Sequence, residues 1–239
     1  MLTHPGRVRM ENEDTVAYLI SEDGQELIAI VADGVGGRSA GEVASRMAAD
    51  IVLRRYLAGS GPPPDRLAAG IAAANEEIYA RAQNDPACAG MATTCTALAI
   101  SGGAAFVAHV GDSRAYVWRY ETLRQITEDH SLIAAMVREG RLTAAEAVLH
   151  PSRNILLRAL GTRPECEPAV WPQGAPVVAG DRWVLCSDGL SDALDASTIA
   201  ATVSQLPPRD ACYTLIDKAF SAGAADNISV GVFGIGIAR

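Results

Sequence analysis

Five short acidic motifs are spread along this chain of 239 residues, most of them where an apolar run stops. They are Arg9-Met10-Glu11-Asn12-Glu13-Asp14, Asp33-Gly34-Val35-Gly36-Gly37, Gly111-Asp112-Ser113-Arg114, Ser187-Asp188-Gly189-Leu190-Ser191-Asp192 and Asp226-Asn227. Runs such as Leu27-Ile28-Ala29-Ile30-Val31-Ala32 and Trp183-Val184-Leu185-Cys186 read as strands buried on one or both faces. A carboxylate at the end of a buried strand is costly to leave unpaired, so a cation is expected to meet it. One such aspartate is ordinary, because Asp-Gly and Asp-Asn pairs commonly build turns and caps. Several at strand ends, beside small residues, point to carboxylates converging on divalent metal ions. An all-oxygen set suits hard Mg²⁺ or Mn²⁺, with water filling the remaining positions.

Strands and helices must deliver these carboxylates to one place. Val16–Ile20 and Glu26–Ala32 read as strands joined by the loop Ser21-Glu22-Asp23-Gly24. Ser39 and Glu42 have the spacing of a capping box, opening a helix with Val43, Met47 and Ile51 on one stripe. A second helix starts near Pro64-Asp65, turns Leu67, Ile71, Ala74 and Ile78 inward and stops before Asp85-Pro86. Three strands follow, Thr93–Ile100, Ala105–Val110 and Ala115–Tyr120, with Leu123–Ile126 as a short fourth. From Asp129 to about Leu149 the pattern is helical, with a second capping box at Thr143 and Glu146, and Arg153–Arg163 reads as a loop with short helical turns. Arg182–Cys186 is a strand, Asp195 caps a short helix, Pro207-Pro208 precedes another, and Ser229–Ile237 closes the chain as a strand. Helix pairs flanked by strands suggest two sheets with helices outside. No repeat or linker divides residues 1–239, so one domain is expected.

The net charge of −8 disfavours nucleic acid or an anionic membrane as the main partner. It does not disfavour a phosphorylated substrate, since bound divalent cations reverse the local sign. Five scattered cysteines with no CxxC pair fit reduced, buried thiols. With no leader pattern and no run of membrane-spanning length, the expected setting is cytoplasmic.

The ordered set of motifs resembles the metal-dependent protein phosphatases of type 2C. That family shows an Arg-x-x-x-Glu-Asp start, Asp-Gly-x-Gly-Gly, Gly-Thr-Thr, Gly-Asp-Ser-Arg, Ser-Asp-Gly-Leu-x-Asp and a closing Asp-Asn. Here they stand in that order, with Ala92-Thr93-Thr94 carrying alanine for the usual glycine. Asp129-His130-Ser131 and Leu157-Arg158-Ala159-Leu160-Gly161 flank an insert like the family's, and the short chain is similar to its compact bacterial branch. The resemblance implies an α+β fold, a four-layer α-β-β-α sandwich of two mainly antiparallel sheets, with a flap insert at about 129–161. It implies hydrolysis of phosphoserine and phosphothreonine in proteins at a binuclear Mn²⁺ or Mg²⁺ site. On this reading Asp33 bridges the ions, Asp188 and Asp226 complete one, and Glu13 with the Gly34 carbonyl completes the other. Arg9 holds the substrate phosphate, and Asp14 acts as an acceptor behind the ligands. Asp112 and Asp192, with Asp188 nearby, would take a third, weaker ion; alternatively, Asp112 shapes its turn and Asp192 caps the following helix. The implied partners are phosphorylated proteins, substrates of a bacterial serine/threonine kinase and the kinase itself.

One departure concerns the proton donor. Some family members carry a histidine after the Asp-Gly pair, and Val35 stands there instead. His109 in an apolar strand reads as a core residue, and His130 as one that caps or orients the insert. The donor stays open, a water at the metals being one candidate. Other phosphatase chemistries lack their signatures. None of the residues six after a cysteine (Thr94, Ser101, Pro172, Asp192, Lys218) is an arginine, and the chain has no Asp-x-Asp-x-Thr or Gly-Lys-Ser/Thr. Two further readings keep the fold: a phosphatase dedicated to one regulatory phosphoprotein, and a non-catalytic phosphoprotein-binding member.

Overall fold

The computed structural model describes residues 1–36, 40–148 and 150–236. Among them the strands are β1 (Leu2–His4), β2 (Asp14–Ile20), β3 (Leu27–Val35), β4 (Ala92–Thr93), β5 (Cys95–Ser101) and β6 (Ala104–Val110). They continue as β7 (Arg114–Arg119), β8 (Thr122–Gln125), β9 (Ala169–Val170), β10 (Ala175–Pro176), β11 (Arg182–Cys186) and β12 (Ile228–Gly234). The helices are α1 (Ala40–Ala58), α2 (Pro63–Asn84), α3 (Leu132–Arg138), α4 (Ala144–Val148), α5 (Asp188–Ser191), α6 (Ala196–Gln205) and α7 (Pro208–Ser221).

Two sheets form. The first runs β10-β6-β5-β3-β2, with β4 beside β3 and β9 beside β6, and the second runs β1-β12-β11-β7-β8. The pairings are antiparallel throughout. Side chains alternate faces along a strand, and this alternation builds the layers. In β3, Ile28, Ile30 and Ala32 pack under α1 and α2, while Leu27, Ala29 and Val31 face the other sheet. In β11, Val184 and Cys186 pack under α6 and α7, while Trp183 and Leu185 meet the first sheet's inner face. The result is the expected α-β-β-α sandwich with three apolar seams.

Local signals fix the helix limits. Proline at the first turn of α2 and of α7 removes an N–H that would have no helical partner. α2 stops at Asp85 because the residue before Pro86 is biased away from helical geometry. The Asp195 side chain accepts from Thr198 N–H at 2.7 Å and caps α6.

Several expectations need correction. The buried face of α1 is Ala44, Ala48, Ala49, Val52 and Tyr56 with Ile51, whereas Val43 and Met47 sit at its margin. Alanines bring the helix close to the sheet, so a stripe drawn through large residues alone was rotated. The Ser39 capping box lies outside the described residues. The strand expected at Thr93–Ile100 breaks at Thr94 into β4 and β5. The helical pattern from Asp129 to Leu149 becomes two short helices separated at Gly140, which has φ +70. Arg153–Arg163 is extended, not helical, in part: Leu156 bridges Ser131 and Leu160 bridges Thr93. The last strand begins at Ile228 and ends at Gly234; Ile237 lies outside the described residues.

Candidate metal centre and active site

The two sheets deliver their carboxylates to one open end of the seam between them. Asp33 lies on the same face of β3 as Val31, and Asp14 stands opposite it in the β2–β3 register. From the second sheet, Asp188 begins α5 just after β11, and Asp226 comes two residues before β12. Asp112 sits in the turn between β6 and β7 and joins the first sheet to the second. Glu13, Asp33, Asp112, Asp188 and Asp226 together line a cavity of about 610 Å³, with Arg9 among its walls.

Close backbone approach makes this convergence possible. A Cβ on Gly34 would lie 2.2 Å from the Gly41 carbonyl oxygen and 2.6 Å from that of Glu13. One on Gly41 would lie 2.5 Å from Glu13 Oε1, so the start of α1 and the Asp33 turn fit only as glycines. Thr94 and Thr93 then fasten the turn. Asp33 N–H donates to Thr94 Oγ1 at 2.9 Å, Thr93 Oγ1 donates to the Asp33 carbonyl at 2.9 Å, and Thr94 Oγ1 meets Ser113 Oγ at 2.7 Å. The Ala-Thr-Thr motif thus ties the Asp33 strand to the Asp112 turn.

Asn227 does the same for the N-terminal motif. Its Oδ1 accepts from Glu13 N–H at 2.8 Å, and its Nδ2 donates to the carbonyls of Pro5 and Glu11 at 3.0 and 2.9 Å. Asp14 lies buried behind the cavity, accepting from Ser187 Oγ at 2.8 Å. Burial above all, offset by hydroxyl hydrogen bonds and reinforced by Asp188 and Asp226, pushes its carboxyl up to about 7. It is a buried acceptor behind the cavity wall.

The electrostatics of the cluster are those of uncompensated carboxylates. Burial, and then the charges of Asp14, Asp188 and Asp112, hold Asp33 well above the ordinary aspartate value. Burial and Asp188 raise Asp112 to about 7, and burial and Asp192 raise Asp188 to about 6. Asp188 Oδ1 is buried with no hydrogen-bond partner among the described residues. Acceptor-only groups crowded in this way need a cation, and oxygen donors in an open cleft suit a hard divalent one. The residues therefore fit Mg²⁺ or Mn²⁺. Among the described residues no three of these side chains are drawn around a single point as in a closed site.

Arg9 Nη2 reaches Asp226 Oδ2 at 2.8 Å, both partly exposed at the rim. This pairing with an expected ligand was not foreseen from the sequence. Asp192 stands apart from the first cavity and lines a second, of about 710 Å³, that also opens onto Asp112 and Asp188. It closes α5, its N–H donating to the Asp188 carbonyl at 2.7 Å, and the cap of α6 is Asp195, so the alternative helix-cap role for Asp192 is overturned. Arg114 grips Asp129 through Nε at 3.0 Å and Nη2 at 2.6 Å, fastening the start of the insert to β7. His130 is clamped to the same turn: its N–H donates to the Gly111 carbonyl at 2.9 Å, and its Nδ1 accepts from Gly111 N–H at 3.1 Å. Its ring stacks on buried His109 at 4.4 Å, so both expected readings of these histidines, core and orienting, match their placement.

Residues 7–211 match the model of the protein phosphatase 2C family. The chain belongs to that family. Among its relatives, the serine/threonine protein phosphatase PstP of Mycobacterium tuberculosis is 40% identical over 94% of this chain, but over only 42% of its own length. The chain therefore spans less than half of that relative. The serine/threonine phosphatase stp of Listeria monocytogenes is 36% identical over 95% of this chain and 92% of its own. The crystal structure of the catalytic domain of PstP in complex with two manganese ions superposes with a TM-score of 0.86 at 35% identity, covering 99% of this chain and 96% of that one. The phosphatase 2C family is metal-dependent, in keeping with the carboxylate-lined cavity here. Among the described residues no helix is long and apolar enough to cross a membrane.

Proposed function

We propose that this chain is a metal-dependent serine/threonine protein phosphatase acting as one catalytic domain in the cytoplasm. The observation that carries the reading is the gathering of five carboxylates from both sheets in one cavity with Arg9 at its rim. Asp33, Asp188 and Asp226 would hold one ion, and Asp33, Glu13 and the Gly34 carbonyl the other. Asp112 and Asp192, with Asp188, would take a third ion weakly, through few protein oxygens. Ions held there supply Lewis acidity and a water of lowered pKa for in-line attack at phosphorus. Manganese in the related mycobacterial structure supports Mn²⁺ as the working ion, and Mg²⁺ suits the same oxygens.

The protein's own side chains do the rest. Arg9 offers a planar fork of donors that matches phosphoryl oxygens, and it exchanges Asp226 for the substrate phosphate. Its contact forms in the ground state and persists through the reaction, so it contributes binding and orientation. Val35 has no proton to give. His109 and His130 are both pushed down to about 4, chiefly by burial, and are neutral at pH 7. Neither ring lines the cavity that holds Asp33. Water is taken as the donor to the departing serine or threonine oxygen. The substrates would be proteins phosphorylated by a bacterial serine/threonine kinase, and the kinase itself.

Release of orthophosphate from phosphoserine and phosphothreonine peptides, with and without Mn²⁺ or Mg²⁺, tests the reading. Turnover should appear only with the ion, and Asp33→Ala or Asp226→Ala should abolish it in a folded protein. Full activity after thorough chelation would refute the proposal.

A further inference from the structure

Arg158 and Arg163 line the first cavity beside Arg9 and have no part in the chemistry above. Arg9 is paired with Asp226 and Arg114 with Asp129, but neither Arg158 nor Arg163 has a carboxylate partner among the described residues. Arg158 has His130 Nε2 at 3.2 Å from its Nη1. Because Nδ1 of that ring accepts from Gly111 N–H, the neutral ring carries its proton on Nε2. Two donors then face each other, and the contact satisfies nothing on the guanidinium. A half-buried arginine with donors free on a cavity wall is open to an acceptor entering the cavity.

The segment carrying both arginines is held rigid. Leu160 exchanges two backbone hydrogen bonds with Thr93, at 2.8 and 3.1 Å. Asn75, buried in the interior of α2, spends its whole amide on this segment. Its Oδ1 accepts from Gly161 N–H at 2.9 Å, and its Nδ2 donates to the carbonyls of Arg163 and Pro164 at 3.1 and 3.2 Å. Gly161 has φ +86, and a Cβ there would lie 2.8 Å from the Met91 carbonyl oxygen. A loop fixed this firmly, ending in two unpaired guanidinium groups at the cavity, is preorganised for an anion and loses little entropy on binding one.

We infer that Arg158 and Arg163 form a subsite for an acidic side chain flanking the phosphorylated residue, so that the enzyme selects acidic phosphopeptides. The inference rests on the phosphatase reading. The flanking carboxylate accepts from the arginine forks while the phosphate is held at the metal-binding carboxylates and Arg9. Because the arginines are partly to fully exposed, the preference is modest and falls with ionic strength.

The test compares kcat/KM for phosphothreonine peptides that differ only in flanking residues, Glu against the isosteric Gln, in Mn²⁺ buffer. The enzymes are the wild type, Arg158→Gln, Arg163→Gln and the double variant. The wild type should favour the Glu peptide by about fivefold at low salt, and the double variant should bring the ratio close to one. Each single variant should give an intermediate ratio, which keeps the test decisive if the double variant folds poorly. A double variant that retains the wild-type ratio, or a wild type indifferent to the flanking charge, overturns the inference. An equal fall on both peptides also overturns it, because the arginines would then serve the phosphate. A wild type that cleaves p-nitrophenyl phosphate but neither peptide would refute the protein-phosphatase reading, and this subsite with it.

Discussion

Asp188→Asn should make the metal-free protein more stable while weakening its response to metal. Asp188 is pushed up from 3.8 to about 6, first by burial and then by Asp192, and its Oδ1 has no partner among the described residues. Keeping it ionised at pH 7.5 therefore costs up to about 3 kcal/mol, at 1.36 kcal/mol for each pH unit. The neighbouring carboxylates share this repulsion, so about 1–3 kcal/mol is the expected gain on neutralisation. For a chain of this size, that is a rise in Tm of roughly 2–12 °C. The sign follows from linkage. A carboxyl raised in the folded state binds more protons there than in the unfolded chain, so its penalty is full above about 6 and gone below 3.8. The advantage of the variant should therefore shrink as the pH is lowered through that window. Thermal melts in a chelator at pH 7.5, 6, 5 and 4 measure it, and a second series in Mn²⁺ completes the test. Mn²⁺ should raise the wild-type Tm by mass action and the variant's by clearly less, because the variant loses the ion that Asp33, Asp188 and Asp226 would share and keeps the one at Asp33, Glu13 and the Gly34 carbonyl. A variant less stable than wild type in chelator at pH 7.5 would refute the electrostatic reasoning. Equal Mn²⁺ stabilisation of both would refute Asp188 as a ligand.

Arg9→Ala should raise KM for phosphopeptides by about tenfold with a smaller change in kcat, since it removes a charge-assisted contact already made in the ground state; steady-state kinetics would expose the opposite pattern. Asp192→Ala should cut turnover strongly while calorimetry still finds two tight Mn²⁺ sites, because Asp192 lines the second cavity and not the one that holds Glu13, Asp33 and Asp226; loss of the tight sites would place it in the core cluster. Amide hydrogens of residues 132–148 should exchange much faster than those of β3 and β5, because Ile133 is the buried residue of α3 and α4 carries none among the described side chains. Protection equal to the strands would rule out a mobile flap.

Much of the molecule was legible along the chain because its signals are local. The apolar runs of β3 and β11, prolines at the starts of α2 and α7, and Asp195 at α6 each act within a few residues. The ordered motifs named the carboxylates that meet at the cavity, because strand ends next to glycine are where buried charge can reach a cation. The stripe of α1 was misread because alanine is a weak signal by itself and becomes a packing surface only when a sheet lies close. The short strands β1, β9 and β10 exist only through their partners β12 and β6, which no local pattern announces.

What tertiary structure alone decided is which distant groups meet. Arg9 pairs with Asp226 across 217 positions, Asn227 pins Glu13 across 214, and Ser187 reaches Asp14 across 173. The loop of Arg158 and Arg163 is fixed by Asn75, about 88 positions away, through an amide that in sequence is only a polar residue on a helix. Sequence determined residue types, element periodicity and the presence of an acidic set suited to divalent cations, since these follow from short-range sterics and from the cost of burying charge. Pairing partners, depressed or raised acidities and unspent donors depend on distances across the sandwich, and those distances exist only once both sheets have packed.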